Sequence, residues 1–424
     1  MPKAIPALNR IIIGDVGSGK TIVAFFIALS YLKNITSGNV ALMAPTEVLA
    51  LQHYNNLLNL VQTSKVDLDW VNLIFQTNKT KFINGNLATK KEINNYLLDL
   101  KNQAKQTIWI GTQALLFQEE ILYNLVLIDE QHRFGVRQRQ KLSSTEDNQI
   151  EAHYISFSAT PIPRSLALTT YKYLKPHFLE RLPGRNKIVT EISFFEEFES
   201  KIQDKITQHL SLNQKVYVVC SKIEDTDDPS QSEIWSLKKT AEIIERYFPN
   251  KSLAIHGKDK DKQNILTEFR DNPNKQILVA TSVIEVGVDV KEASLILILN
   301  AERFGLAALH QLRGRIGRNN YQNNLCLLVT TREKQYAKRL QYLCEYEDGF
   351  LIANKDLELR GSGQLFGSQQ SGFDSEVLDL MGLDPDIYSQ IDVLVDSLNL
   401  NNLKKEVPRL HNYLEVKLAE TWQE

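Results

Sequence analysis

A chain of 424 residues is too long for one ordinary core, and its 43% hydrophobic and 24% charged composition is that of a globular protein of two or three domains. No apolar run approaches the roughly 20 residues of a membrane-spanning helix, and the first residues lack the charged-then-apolar order of a signal peptide. With three cysteines (Cys220, Cys326, Cys344) that show no CxxC spacing, a cytoplasmic protein with reduced thiols and no membrane contact is expected. The net charge of −2 argues against a passive, electrostatics-driven nucleic-acid binder; a motor that gathers its cations in one groove stays open.

In chain order, residues 10–14 (RIIIG) read as a buried strand, followed by a glycine-rich loop and a helix from Lys20 to about Lys33. A strand over 40–44, a helix from Thr46, a strand near 107–110 and the apolar run 125–129 (LVLID) follow. Residues 154–157 then lead into Ser158-Ala-Thr160-Pro. Apolar strands interleaved with amphipathic helices indicate a parallel sheet covered on both faces. Proline and glycine punctuate the chain at 182–185 (LPGR). The alternation restarts beyond it, with strand-like runs at 215–220, 252–255, 276–280, 295–299 and 325–329. Residues 225–233 read as a polar surface loop, and the tail after about Glu347 as glycine-rich turns and helices. The expected fold class is α/β: two RecA-like parallel-sheet lobes of the P-loop NTPase kind in tandem, over 1–180 and 181–346, with a small, mostly helical appendage over 347–424.

Three stretches carry chemistry. Gly14-Asp-Val-Gly17-Ser-Gly19-Lys20-Thr21 fits the P-loop pattern between a buried strand and a helix start. Its glycines let backbone N–H groups turn towards phosphates, Lys20 supplies a point charge for the β and γ phosphates of ATP, and Thr21 offers a hydroxyl to Mg²⁺. Asp129-Glu130 ends the strand LVLID, where parallel sheets open their ligand crevice. Asp129 is expected to hold Mg²⁺ and Glu130 to orient the attacking water. Ser158 and Thr160, after the next strand, could hydrogen-bond that acidic pair and report nucleotide state to the other lobe. The third stretch, Gln311-Leu-Arg313-Gly-Arg315-Ile-Gly-Arg318, concentrates cations in a chain of near-zero net charge. On a helix Arg315 and Arg318 would share a face, and across the cleft they would act as arginine fingers on the γ-phosphate.

In this order the motifs resemble those of superfamily 2 helicases, and more narrowly the RecG branched-DNA translocases. The matching stretches are GDVGSGKT, APTEVLA (44–50), GTQALL (111–116), DEQHRFG (129–135), SATPIPR (158–164), ATSVIEVGVDV (280–290), AERFGLAALHQL (301–312) and GRIGR (314–318). DLELRGSGQLFGSQQSG (356–372) resembles the element that RecG shares with the transcription-repair coupling factor. The resemblance implies an ATP-dependent DNA helicase acting on forks and Holliday junctions in recombination and repair. It assigns backbone contacts without base specificity to Thr46, Glu47, Thr112, Gln113, Thr281 and Ser282, although each could equally be a helix cap. It adds Asp289 to the nucleotide site, Gln311 to the catalytic set, and His132, Arg360 and Gln369 to coupling of hydrolysis with movement. The family's wedge domain and the segment that contacts adenine precede the P-loop, so with the P-loop at Gly14 both are expected to be absent. A monomer is expected, with a separate wedge-bearing chain as a candidate partner; loss of flanking helices from the first lobe stays open, at the cost of exposed apolar sheet surface. The alternatives are a non-catalytic or partner-dependent fragment of a split RecG, and a coupling-factor-like translocase on double-stranded DNA.

Overall fold

The computed structural model describes residues 7–64, 70–102, 106–118, 121–130, 152–159, 174–180, 186–197, 201–222, 235–257, 259, 261–281, 290–330 and 334–360. The first half builds one sheet from β1 (Asn9–Gly14), β2 (Gly38–Met43), β3 (Val71–Gln76), β4 (Lys81–Ile83), β5 (Asn86–Leu87), β6 (Gln106–Gly111), β7 (Leu125–Asp129), β8 (His153–Ser158) and β9 (Lys175–Leu179). Their order is β5-β4-β3-β6-β2-β7-β8-β1-β9, parallel except where β4 turns back on β3 and β5 on β4. Alternate side chains of a strand face opposite ways, and both faces here are apolar. Val40 and Leu42 of β2 pack with Phe25 and Leu32 of α1 (Lys20–Lys33) and with Tyr54 and Leu57 of α2 (Glu47–Thr63). Ala41 and Met43 face the other way, into a cluster with Trp109, Ile128 and Ile93 of α3 (Lys90–Asn102).

The second half repeats the plan with β10 (Val189–Phe194), β11 (Lys215–Val219), β12 (Ser252–Ile255), β13 (Ile277–Ala280), β14 (Ala293–Leu299) and β15 (Leu325–Thr330). The order β10-β15-β14-β11-β13-β12 is parallel throughout. Ile206 and Leu210 of α4 (Gln203–Ser211) and Ile244 of α5 (Leu237–Tyr247) cover Val216, Val218, Leu295 and Leu297. On the opposite face Phe269 of α6 (Lys262–Asp271), Leu309 and Leu312 of α7 (Leu306–Arg313), Leu340 of α8 (Lys334–Glu345) and Ile352 of α9 (Gly349–Arg360) join Ile296, Ile298 and Leu328. Each such fully buried aliphatic side chain contributes about 1.5–3 kcal/mol.

Both sheets belong to one compact unit, Met1–Arg164 with Tyr171–Asp356; Ser165–Thr170 and Leu357–Glu424 form a second. The break at 182–185, the loop at 225–233 and the tail beyond 360 lie outside the described residues. No helix among the described residues is long and apolar enough to cross a membrane.

Several elements escape a reading by apolar runs. β9 (KPHFL) and β10 (VTEISF) are sheet edges, β9 with no fully buried residue and β10 with one, and an edge tolerates Pro176. Asn84 and Gly85, with φ of 47° and 91°, make the two-residue turn between β4 and β5. Asn-Gly is the strongest short-range hairpin signal, so this turn was readable. Among the described residues α1 and α2 pack on one face of the first sheet and α3 on the other, while Leu87 of β5 stays exposed. The exposed apolar side chains include Ile22 and Phe26 on the outside of α1.

Candidate nucleotide site and nucleic-acid face

β1 carries Ile11 and Ile13 through the core and delivers Gly14 at its C-terminal end. The chain then turns sharply, with Ser18 N–H donating to the Asp15 carbonyl at 3.1 Å. Gly17 (φ 77°) and Gly19 (φ 84°) take left-handed backbone that a side chain would strain, and Gly19 caps α1. A Cβ on Gly14 would lie 2.3 Å from Ser18 Oγ. Lys20 folds back over this loop and donates from Nζ to the carbonyls of Gly14 and Asp15, both at 2.8 Å. Burial pushes the Lys20 ammonium below its ordinary pKa, Glu130, Asp129 and Asp15 pull it back up, and Arg318 of the second lobe adds to the fall. Five charges from both lobes therefore converge on the loop.

β8 lies between β1 and β7, with Ser158 opposite Ile13 and Phe157 opposite Asp129. Buried Ser158 thus ends its strand between the P-loop and the acidic pair, while Thr160 lies outside the described residues. Asp129 Oδ2 accepts from His53 Nε2 of α2 at 2.8 Å. Among the described residues His53 Nδ1 is buried with no hydrogen-bond partner, which places the ring proton on Nε2, facing the carboxylate. Burial alone would raise the Asp129 pKa; the His53 hydrogen bond and the Lys20 charge outweigh it and hold the carboxyl below its ordinary value. Glu130 follows with φ 53°, left-handed backbone of a kind that costs a non-glycine residue about 1–3 kcal/mol and clusters at functional sites.

Lys20, Thr21, His53 and Asp129 line one small cavity with Ala24, Leu42 and Phe157. These groups suit a nucleotide triphosphate and Mg²⁺. Among the described residues Ser18 Oγ is buried in the loop without a hydrogen-bond partner, and the Lys20 ammonium is held by two backbone carbonyls. Thr21 and Asp129 are hard oxygen donors. Mg²⁺ is usually held by one or two such side chains together with substrate phosphates, and no cluster of three or more His, Cys, Asp or Glu occurs among the described residues.

On the second lobe α7 ends at Arg313, Gly314 is its C-cap, and Gly317 takes φ 72°. Arg315 and Arg318 therefore do not share a helix face, contrary to the sequence reading; the glycines that flank them break the helix first. Arg318 donates from Nε to the Gly314 carbonyl at 3.2 Å and is the arginine that acts on Lys20. Arg315 is half-buried. Gln311 is buried, and its Nε2 has no hydrogen-bond partner among the described residues. Arg313, unassigned from sequence, is 4% exposed. It donates to the carbonyls of Leu343 (2.6 Å), Tyr346 (2.9 Å) and Glu347 (3.0 Å) and to His310 Nδ1 (2.8 Å).

The expected nucleic-acid contacts emerge at the C-terminal ends of the strands. Met43 and Gly111 are register partners in parallel β2 and β6, so Thr46–Glu47 and Thr112–Gln113 leave the sheet side by side. Thr46 caps α2, its Oγ1 accepting from Leu49 N–H at 3.3 Å, and its hydroxyl proton stays available to an acceptor. The Glu47 carboxylate accepts from Thr77 Oγ1 at 2.7 Å. Thr112 precedes the turn Gln113–Phe117 with no side-chain cap bond. Thr281, buried at the end of β13, donates its N–H to the Ile255 carbonyl at 3.4 Å. His132, Ser282, Asp289 and Gln369 lie outside the described residues, and Arg360 is the last residue of α9.

Sequence reasoning missed Asp15, His53 and His310. Asp15 stood inside the P-loop, where a carboxylate beside bound phosphates demands a donor of its own. His53 and His310 had no local signal.

The family model described as DEAD/DEAH box helicase matches residues 1–169, and the one described as helicase conserved C-terminal domain matches 200–320. ATP-dependent DNA helicase RecG of Synechocystis sp. is 37% identical over 428 residues, 98% of this chain and 48% of that protein. The RecG proteins of Aquifex aeolicus and Escherichia coli K12 are 40% and 39% identical, each across 86% of this chain and across 45% and 51% of their own lengths. A solved structure of RecG bound to a three-way DNA junction superposes with a TM-score of 0.67 at 31% identity, over 89% of this chain and 48% of that one. A variant of S. cerevisiae Dbp5 bound to RNA and ADP BeF3, at 15% identity and a TM-score of 0.52, shares the fold. The chain spans about half the length of the RecG proteins it matches. With both helicase lobes in place and this identity along nearly all of its own length, the chain belongs to the RecG family.

Proposed function

We propose that the chain is the motor of an ATP-dependent DNA helicase or translocase that acts on branched DNA, with Mg²⁺ as the metal. The observation that carries this reading is the convergence of Lys20, Thr21 and Asp129 on one cavity. The family adds the substrate: its members here are described as DNA helicases, and one was solved on a three-way junction. In this reading Lys20 leaves the carbonyls of Gly14 and Asp15 for the β and γ phosphates, and Thr21 and Asp129 hold Mg²⁺. Held there, Mg²⁺ would supply positive charge to offset that of the phosphates. Glu130 orients the attacking water, Gln311, Arg315 and Arg318 complete the site from the second lobe, and Asp289 joins the nucleotide contacts. Thr46, Glu47, Thr112, Gln113, Thr281 and Ser282 form the strand-binding face. His132, Ser158, Thr160, Arg360 and Gln369 couple hydrolysis to movement. The lobes divide at about residue 180, and 347–424 is the coupling element with its helices.

The test is ATP hydrolysis by the purified chain alone, with single-stranded DNA and with forked DNA. Turnover should rise with DNA, most with the fork, and vanish in Glu130→Gln. Lys20→Ala should abolish turnover and leave DNA affinity nearly unchanged; equal turnover in that variant would overturn the site.

A further inference from the structure

We infer that Asp15 and His310 are positioning residues that seat the phosphate-binding loop on the second lobe and join it to the turn entering α9. The inference deepens the reading above and rests on nucleotide binding at the P-loop. Asp15 is 4% exposed, and its two carboxylate oxygens accept from donors on both lobes. Val16 N–H donates to Oδ1 at 2.5 Å, His310 Nε2 donates to the same oxygen, and Gly349 N–H donates to Oδ2 at 3.0 Å.

The direction of the histidine bond follows from its other neighbour. A guanidinium has donors and no acceptor, so the Arg313 bond to His310 Nδ1 leaves the ring proton on Nε2, facing Asp15. The remaining N–H groups of Arg313 hold the carbonyls of Leu343, Tyr346 and Glu347, which run from the last turn of α8 to the residues before α9. An unbroken series of hydrogen bonds thus runs from the P-loop through Asp15, His310 and Arg313 to 343–347.

The seat is close-fitting. A Cβ on Gly349 would stand 2.6 Å from His310 Nε2 and 2.9 Å from Asp15 Oδ1, and one on Gly314 would stand 2.4 Å from Val16 Cγ1. Both glycines let the loop's outer turn, Asp15-Val16, dock on the second lobe. A carboxylate beside the phosphate site opposes a polyanion, and its burial against three donors offsets that cost. The same residue meets the nucleotide side of the loop, because its carbonyl accepts from Lys20 Nζ. When Lys20 turns to a phosphate, the residue gripped by the second lobe loses one of its two bonds to the loop's interior. Occupancy of the loop then reaches 343–349 through contacts, with no ligand touching that turn.

The experiment follows backbone hydrogen exchange over 343–349 in the full chain, with and without ADP and Mg²⁺, beside binding of a fluorescent ADP. In the unaltered chain exchange there should change when ADP binds. In His310→Ala and in Asp15→Asn, ADP should still bind and the response at 343–349 should be lost. DNA stimulation of kcat should fall about tenfold, with a smaller change in KM for ATP. The double variant should be no worse than either single one, because both break one series. His310→Gln, whose amide can donate to Asp15, should restore the response and guards against a variant that merely folds poorly. A response that persists in His310→Ala, or additive losses in the double variant, overturns the inference. An unaltered chain that binds no ADP overturns both this inference and the nucleotide site. One that binds ADP and shows the response without hydrolysing ATP overturns the proposed function alone.

Discussion

Replacing His53 tests whether the Asp129 carboxylate is held ready for a metal by a residue from the helix that Thr46 caps. The ring is 4% exposed, and its bond to Asp129 is a hydrogen bond to an ionised group, worth about 1.5–3 kcal/mol. It also packs edge-on against Phe25, with centroids 6.4 Å apart, so alanine leaves a void as well as an unanswered carboxylate. Outer partners of metal ligands typically change affinity or activity by about 10–100-fold, and His53→Ala should raise the Mg²⁺ concentration for half-maximal ATP hydrolysis by that factor. Glutamine can place an amide N–H where Nε2 stood, so His53→Gln should stay within about tenfold of the original, the lower end of that range. The assay is steady-state hydrolysis across a Mg²⁺ titration, with circular dichroism to confirm that each variant folds. Equal Mg²⁺ dependence in His53→Ala and the unaltered chain would refute the positioning role. Equal losses in the alanine and glutamine variants would show that ring packing, and not the donated hydrogen bond, is what matters.

Acid should loosen the contact between the lobes. Burial would raise the Asp15 pKa, and the bonds from His310, Gly349 and Val16 outweigh it, lowering the carboxyl from 3.8 to about 2. A depressed carboxylate stabilises the fold above its unfolded pKa and loses that contribution as pH falls through the folded value. About 2 kcal/mol present at neutral pH should therefore disappear between about pH 4 and pH 2. The Tm gap between the unaltered chain and Asp15→Asn should close over that window; a gap that does not depend on pH would refute the assignment. Gly111→Ala should destabilise the first lobe by about 1–3 kcal/mol, because its Cβ would lie 2.2 Å from the Gln76 carbonyl oxygen, a backbone atom of the paired strand. Chemical denaturation checks this, and an unchanged midpoint would show that the pairing of β3 with β6 yields cheaply.

What could be read along the chain was what the chain builds locally. Apolar runs such as LVLID and KVYVVC became buried central strands, because a strand with helices on both faces must be apolar throughout. The hairpin at Asn84-Gly85 was equally local and went unread, since its strands are short and at best half-buried. Strands β9 and β10 were hidden for a different reason: an edge strand needs fewer apolar residues, so its sequence carries a weaker pattern.

The site divides in the same way. The P-loop, the acidic pair after β7 and the arginine-rich stretch are legible in the residues alone, because each is a short run whose spacing is its chemistry. The shared helix face expected of Arg315 and Arg318 fails, since a helical spacing says nothing where glycines end the helix. The meeting of His53 with Asp129 across 76 residues, and of His310 with Asp15 across 295, comes from the packing of the folded chain. A buried carboxylate must find a donor, but which donor it finds is set by how helices and lobes pack, and that is encoded by no neighbouring residue.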